Sequence, residues 1–509
     1  MYRTPEELQQ TAHNLFEEYL PKIDALKNKD RIRIPVQEMP SQDPKERVCN
    51  LEEVAIGYTE EEARIEAMRC IQCPTQTCVR DCPVHINVPV FIDHVAHGKY
   101  QEAANVIKEA SLLPAICGRV CPQETQCQKD CSVGKVFKTV DKSVSIGRLE
   151  RFVADWERNT GVVQLPHVKP DTGKKVAVIG SGPAGLVVAA DVRREGHSVT
   201  IFEAFHKLGG VMRYGIPEFR LPNNIIDQEI DSLRKMGVEF KTNFVVGRTR
   251  KLTDLLEKDG YDAAFVGTGA GLPLFMGIDG ENLVGVFSAN EYLTRANLMR
   301  AFDKKHADTP IYPSKIVAVL GGGNVAMDAA RMSLRLGAEK VYVVYRRTQK
   351  EMPARKEEVE HAMEEGIEFR FLQNAKRILG DEKGRVRAIE CLKYELGEPD
   401  QSGRRRPIPI EGSEFTIDVD TVIVAIGNGS NPLISQTTPE IKTNKWGNII
   451  VDENQKTSMD RVYAGGDIVL GAATVILAMG EGRKAAAAIN EMLAKDIETG
   501  ESKKTVDVN

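Results

Sequence analysis

No stretch of this 509-residue chain approaches the ~20 consecutive apolar residues that a membrane-spanning helix needs. The first residues, MYRTPEELQQTAHNLFEEYL, have no basic start and no apolar core, which argues against a secretory signal. Positive charge is not in excess: 68 Lys and Arg against 73 Asp and Glu leave a formal net charge of −5. That balance offers no footprint for nucleic acid and no basic face for a membrane. These absences predict a cytoplasmic protein. What is present is ordinary for a soluble globular chain, 42% hydrophobic and 28% charged residues, and the length predicts about three domains.

The ten cysteines are unevenly spread: eight lie between Cys70 and Cys131, while Cys49 and Cys391 stand alone. In a reducing compartment disulfides are rare, so clustered cysteines point to metal binding or redox chemistry. A lone cysteine is expected to be a small buried hydrophobe, and Cys49 and Cys391 are both read so.

Three textures follow one another. Residues 1–170 carry the cysteines and helix-type spacing. Leu8, Ala12, Leu15, Tyr19, Ile23 and Leu26 recur at three- and four-residue steps, predicting a helix with one apolar face. Such a face is expected to pack on its own protein; the alternative is docking on a partner. RIRIPVQEMPSQDP reads as an extended connector because of its prolines. From Lys174, KKVAVIGSGPAGLVVAADVRREGHSVTIFEA reads as strand, glycine turn, helix and strand. SKIVAVLGGGNVAMDAARMSLRLGAEKVYVVYRR repeats that pattern near Lys315. Repeated βαβ units predict an α/β fold. PDQSGRRRPIPIEGS (399–413) is expected to be a loop, and the polar tail after Thr499 to be frayed.

The first repeat places Gly180, Gly182 and Gly185 in G-x-G-x-x-G. The first glycine permits the tight turn, the second lets backbone approach a pyrophosphate, and the third lets helix and strand pack closely. Glu203 follows about 20 residues on, at a strand end, where a carboxylate can accept ribose hydroxyls. A purely structural glycine turn would not require that acid. In the second repeat Gly321, Gly323 and Ala326 hold the corresponding places, and Arg346 and Arg347 stand where the acid would be. Arginine pairs with a 2′-phosphate that a carboxylate would repel, so this site is expected to prefer NADP(H) over NAD(H). The alternative is a solvated surface pair.

Two dinucleotide sites suggest a flavin and a nicotinamide. Residues 174–490 resemble the two-dinucleotide-domain flavoproteins related to glutathione reductase, through FVGTGA (265–270), TVIVAIG (421–427) and VYAGGDIVLGAATVILAMGEGRKAA (462–486). The resemblance implies two Rossmann-like domains, with the NADP domain inserted in the FAD domain, behind the helical domain that the spacing of residues 1–170 predicts. The implied boundaries are 1–170, 171–290 for the first FAD part, 291–427 for the NADP domain and 428–498 for the second FAD part. It also implies cofactor contacts at Gly180, Gly182, Pro183, Ala184, Gly185, Glu203, Gly210, Arg220, Val246, Thr268, Gly269, Gly466, Asp467, Ala473 and Thr474. Around the second turn it implies contacts at Gly321, Gly322, Gly323, Asn324, Val325, Arg346, Arg347, Ala425, Ile426 and Gly427. One departure bears on mechanism. Disulfide reductases carry a cysteine pair after the first nucleotide strand, but GGVMRYGIPEFRLP (209–222) has none, so electrons must leave the flavin another way.

CIQCPTQTCVRDCPV is C-x2-C-x4-C-x3-C-P over Cys70, Cys73, Cys78 and Cys82; CGRVCPQETQCQKDC adds Cys117, Cys121, Cys127 and Cys131. Zinc is the alternative, but zinc ribbons present two separated C-x2-C pairs and this chain has one. The close run ending in Cys-Pro is more like bacterial two-cluster ferredoxins, whose fourth cysteine crosses to the other cluster. That analogy groups Cys70, Cys73, Cys78 and Cys131 on one [4Fe–4S] cluster, and Cys82, Cys121 and Cys127 on a second. Cysteine counting nominates Cys117 for the open place. Residues 45–156 with 174–490 resemble the glutamate synthase small-subunit family through EEARIEAMRCIQC, CPVHINVP, ICGRVCPQ, SIGRLERF, GIPEFRLP and YRRTQKEMPA. That family includes the N-terminal part of dihydropyrimidine dehydrogenase and the large subunit of NADH-dependent reduced ferredoxin:NADP oxidoreductase. The resemblance implies Glu150 as the non-cysteine ligand, with Cys117 a structural thiol. MPSQDPKERVCNLEEVAIGYTEEEARIEAMRCIQC looks most like the oxidoreductase large subunit. The expected activity is exchange of electrons between NADP(H) and a partner flavoprotein or iron–sulfur subunit, with ferredoxin a candidate, in a transhydrogenase complex. The alternatives are a glutamate synthase small subunit and, from another class, a scaffold with inactive nucleotide folds. No side chain is expected to act as acid or base.

Overall fold

The computed structural model describes residues 2–161, 163–303, 305–401 and 403–499. Two parallel five-stranded sheets form its centre. The first has the order Val462–Ala464, Ala263–Val266, Lys175–Ile179, Ser198–Phe202 and Glu239–Lys241. The second runs Val286–Ser288, Thr421–Val424, Ile316–Leu320, Lys340–Tyr345 and Glu368–Phe371. The inner strands AAFV and TVIV are buried at every position, as sheets covered on both faces require. In both sheets the glycine turn joins a strand to the N-terminus of a helix, Pro183–Arg194 in one and Asn324–Arg335 in the other.

The first sheet is completed by Val462–Ala464, which follows the second sheet in sequence, so the second nucleotide domain is inserted in the first. The expected boundary at 290 shifts: Val286–Ser288 pairs with Thr421–Val424 and belongs to the second sheet. Leu272–Pro273 pairs antiparallel with Asn428–Gly429, so the chain enters and leaves the insertion side by side. The segment 399–413 is corrected as well. It contains the strand Arg405–Pro409, paired antiparallel with Val386–Pro399. Its arginines obscured the strand, although Arg-Arg-Pro-Ile-Pro suits a solvent-facing edge. The tail expected to fray after Thr499 lies outside the described residues.

Residues 5–159 are helical with connecting loops. They share one core with the first sheet's domain: Phe91, Ile116 and Val153 lie in the same buried cluster as Val187, Ile226 and Ile489. No helix among the described residues is long and apolar enough to cross a membrane. The predicted N-terminal helix spans Pro5–Tyr19, followed by a 3-10 turn over Leu20–Ala25. It buries Leu8 and Ala12.

Candidate functional site

Each glycine of the first turn meets its own requirement. Gly180 has φ +105°, and a Cβ there would sit 2.4 Å from the Gly267 carbonyl oxygen. One on Gly185 would sit 2.0 Å from the Gly180 carbonyl oxygen, whereas one on Gly182, the helix N-cap, would meet nothing within 4 Å. Tight turn and close packing therefore flank an open place at a helix N-terminus, where a phosphate is stabilised by unpaired N–H groups and the helix dipole. The helix begins with Pro183 and Ala184, as predicted. The Glu203 carboxylate is buried at the end of its strand. It accepts hydrogen bonds from the Ser181 N–H at 3.0 Å, the Ser181 hydroxyl at 2.5 Å and the Phe205 N–H at 2.9 Å. Gly209 N–H donates to the Ser181 hydroxyl, and Gly210 closes over Gly182. Gly269 faces open space, and the Thr268 hydroxyl is buried without a hydrogen-bond partner. Such an orphan is costly unless something fills the cradle.

The closing motif lies on the same side. Gly466 packs against Ala184. Burial pushes the Asp467 carboxyl up to about 6, opposed by the Ala473 N–H, which donates to it at 3.2 Å. Thr474 precedes the helix Val475–Thr499 and accepts from the Leu477 N–H. Val246 is buried in the core beneath this half. These residues fit FAD: an open helix N-terminus for the pyrophosphate and a carboxylate at the strand end for a ribose.

The second turn has the same design, with Gly321 at φ +150° and Gly323 as N-cap, its nearest neighbour Pro353 at 3.9 Å from an added Cβ. Gly322 lies over the Tyr345 ring, Val325 is exposed, and Asn324 Oδ1 accepts the Arg355 N–H. Ala425, Ile426 and Gly427 follow the strand Thr421–Val424; Ile426 is exposed and Gly427 meets nothing.

The two arginines, read alike from sequence, are placed differently. Arg346 is exposed. Arg347 is buried, its Nε donating to the Arg405 carbonyl and its Nη2 to Asp400 at 2.8 Å. Arg220 reaches carboxylates of the inserted domain, with Nη1 at 2.8 Å from both oxygens of Asp328 and Nε 3.0 Å from Glu358. It ties the two nucleotide domains together.

The cysteines separate into two neighbourhoods. Burial pushes Cys70 and Cys78 up to about 12, and in both cases nearby Cys131 and Cys73 add to the rise. Burial pushes Cys82 up to about 11, with Glu150 and Cys117 contributing. Cys121 is raised by its hydrogen bond with Cys117 and by burial, with Glu150 and Cys127 contributing. Cys127 is raised by burial, then by Cys82, Glu150 and Cys78. Cys70, Cys73, Cys78 and Cys131 therefore form one group. Cys82, Cys121 and Cys127 form the other, with both Glu150 and Cys117 beside them, and Cys78 and Cys127 lie where the groups meet. Raised thiols such as those of Cys70, Cys78, Cys82, Cys121 and Cys127 give up their protons when a metal is bound in their place.

Glu150 sits on the helix Ile146–Asn159, whose apolar side is buried. It is 6% exposed, burial pushes it up to about 8, and its Oε1 has no hydrogen-bond partner. A solvated helix glutamate would show none of this. An orphaned oxygen on a carboxylate whose charge acts on Cys82, Cys121 and Cys127 fits a ligand to a cluster. Cys117 is fully buried, its Sγ 3.5 Å from the Met479 sulfur. Among the lone cysteines, Cys391 is buried but Cys49 is exposed, contrary to expectation. It follows the short helix Pro44–Arg47, which docks on the inserted domain through Arg47, and lies on that helix's open side.

Sequence reasoning missed the contacts that join the cysteine domain to the flavin half. Gln126 Nε2 donates to the Thr474 hydroxyl at 3.3 Å, and a Cβ on Gly480 would lie 2.9 Å from the Pro83 carbonyl oxygen. With Cys117 and Met479, these seat the second cysteine group on the start of the helix Val475–Thr499. A further bridge runs to the inserted domain, where Arg355 donates to the Arg119 carbonyl and to Gln123. No local pattern signals such pairs, since each partner is unremarkable in its own segment.

Fold and site together define an NADP-dependent, FAD-binding oxidoreductase with a 4Fe–4S domain. The pyridine nucleotide-disulphide oxidoreductase family matches residues 174–490, and the family of dihydropyrimidine dehydrogenase domain II, 4Fe-4S cluster, matches residues 47–162. The glutamate synthase [NADPH] small chain of Azospirillum brasilense is 36% identical over 89% of this chain and 94% of its own length. The NADP(+)-dependent formate dehydrogenase subunit beta of Moorella thermoacetica is 39% identical over 82% of this chain. The present chain spans 60% of that relative's length. The NADPH-Fe(3+) oxidoreductase subunit beta of Geobacter sulfurreducens is 36% identical over 84% of this chain and 65% of its own. Among solved structures, FprA from Mycobacterium tuberculosis in complex with NADPH shares the fold, with a TM-score of 0.55 at 20% identity over 66% of this chain and 87% of that one. The chain belongs to the glutamate synthase small-chain family.

Proposed function

We propose that this chain is the NADP(H)-handling subunit of a ferredoxin- and NAD-linked transhydrogenase complex, holding one FAD and two [4Fe–4S] clusters. Cys70, Cys73, Cys78 and Cys131 hold the first cluster; Cys82, Cys121, Cys127 and Glu150 hold the second. The observation that carries this reading is the seating of the second cysteine group on the helix Val475–Thr499 through Gln126–Thr474 and Cys117–Met479. That helix starts beside the flavin cradle closed by Asp467 and Ala473. FAD held in this cradle would supply hydride exchange with a nicotinamide and one-electron chemistry toward iron–sulfur groups. The protein's part is placement. Gly182 and Gly323 leave room for phosphates, Glu203 orients a ribose, and Arg346 meets the 2′-phosphate. Glu150, the buried Cys82 and Cys121 and the partly buried Cys127 would hold one end of a relay against the flavin helix, and Cys70, Cys73 and Cys131, also partly buried, would carry it toward the surface.

A second reading, the small subunit of NADPH-dependent glutamate synthase, is favoured by the match over 94% of that relative's length. Both readings require a partner subunit, and the three relatives cited bear subunit or chain names. The test is to purify the native protein without tags and assay it alone and with what it retains. The isolated chain should reduce one-electron dyes with NADPH but complete no physiological reaction. A co-purifying partner should restore ferredoxin- and NAD-linked turnover. Glutamine-dependent glutamate formation would select the second reading, and a lone, fully competent enzyme would overturn both.

A further inference from the structure

The family match in the cysteine domain begins at residue 47, yet the segment before it is folded onto the first cysteine group. Helix Pro5–Tyr19 is opened by a reciprocal cap: Thr4 Oγ1 accepts the Glu7 N–H, and Glu7 Oε2 accepts the Thr4 N–H. Such a cap stabilises a helix start. The helix lies on Glu60–Met68, which runs directly into Cys70. Arg64 stacks over the Phe16 ring at 5.0 Å, and His13 lies 3.1 Å from Glu61. The 3-10 turn and the helix Asn28–Arg31 then bring Arg31 to the cysteines. Its Nη1 donates to the carbonyls of Met68 at 3.1 Å and Cys70 at 3.4 Å. Its Nε and Nη2 donate to Leu26 and Ile23, which rigidifies the turn that delivers it.

Among the described residues no carboxylate pairs with Arg31, so its positive charge stands uncompensated beside a cysteine of the outer group. A 4Fe–4S cluster gains one negative charge on reduction. A fixed cation within a few ångströms, partly shielded from water, favours that state. We propose that residues 5–31 cap the first cluster and that Arg31 raises its reduction potential, making it the electron sink at the surface end of the relay. The proposal rests on the reading of Cys70, Cys73, Cys78 and Cys131 as ligands of one cluster. Arg31 acts as a positioning and tuning residue and touches no substrate.

The test compares full-length holoenzymes carrying Arg31→Gln, which keeps a donor for the carbonyls but loses the charge, and Arg31→Lys, which keeps the charge. Iron content, thermal midpoint and EPR-monitored redox titration are read for each. Arg31→Gln should make the first cluster about tenfold less reduced at a fixed potential, which is ~59 mV for a one-electron couple. The second cluster should not move. Arg31→Lys should restore most of the shift. Unchanged potentials in Arg31→Gln with both clusters intact would overturn the proposal, as would equal shifts in the two variants. If Arg31→Gln loses iron while Arg31→Lys does not, the charge is needed even to hold the cluster, and the proposal stands; if both lose it, the role is structural and the proposal falls. Wild-type protein with a single cluster, or with zinc, would instead overturn the ligand assignment beneath it.

Discussion

The two cysteine groups share one small helical domain but differ in nearly every physical respect. The inner group, Cys82, Cys121 and Cys127 around Glu150, is mostly buried and leans on the helix that borders the flavin cradle. The outer group is half-exposed at three of its four cysteines and is covered by the N-terminal segment. The inner group contains an oxygen with no partner; the outer group has a guanidinium at its edge. If both groups hold clusters as proposed, burial of the one and exposure of the other would give the relay a direction, from the flavin half toward the surface.

The sharpest way to break that comparison is to remove the oxygen. Glu150→Ala should drop bound iron from about eight per chain toward about four and cut electron delivery to a partner, while leaving the NADPH–flavin step. Cys117→Ala should keep all the iron; metal analysis and flavin reduction measured together decide between the two side chains. The next largest effect belongs to the nucleotide half. Arg346→Ala should weaken NADPH by about 1.5–3 kcal/mol, the cost of a lost charged hydrogen bond, and hardly touch NADH. Arg347→Ala should act less on cofactor choice and more on stability, because its fork already holds Asp400. Equal losses for the two cofactors in Arg346→Ala would remove that residue from the 2′-phosphate. Glu150→Cys should retain iron and alter only the inner group's potential and spin signature, as sulfur replaces oxygen on one iron. The smallest effect is expected at Cys49. A bulky thiol reagent should label it in the native protein and spare Cys391, with dye reduction unchanged.

How much of this was legible in the sequence follows from how local each device is. Gly180, Gly182 and Gly185 act within one turn, so their spacing announced the cradle, and the repeat at Gly321 announced its counterpart. The cysteine runs were equally plain. Arg346 and Arg347 are not separable in sequence, because what divides them is Asp400, in the turn joining the strands Val386–Pro399 and Arg405–Pro409. The ion pairs of Arg220 are illegible for the same reason: its carboxylates, Asp328 and Glu358, come from the inserted domain. The single core shared by the cysteine domain and the flavin half leaves no trace in composition, since it is made of ordinary Val, Ile and Leu. Glu150 was reached through family resemblance alone. The structure adds a carboxylate buried to 6% exposure near Cys82, Cys121 and Cys127.

The central claim is that both cysteine groups hold 4Fe–4S clusters in line with one flavin. Anaerobically purified protein, analysed for metals and flavin and then reduced stepwise under EPR, tests it most directly. The account predicts about eight irons and one FAD per chain, with two cluster signals of distinct potential. Stoichiometric zinc with negligible iron, or a single cluster of about four irons, would contradict it.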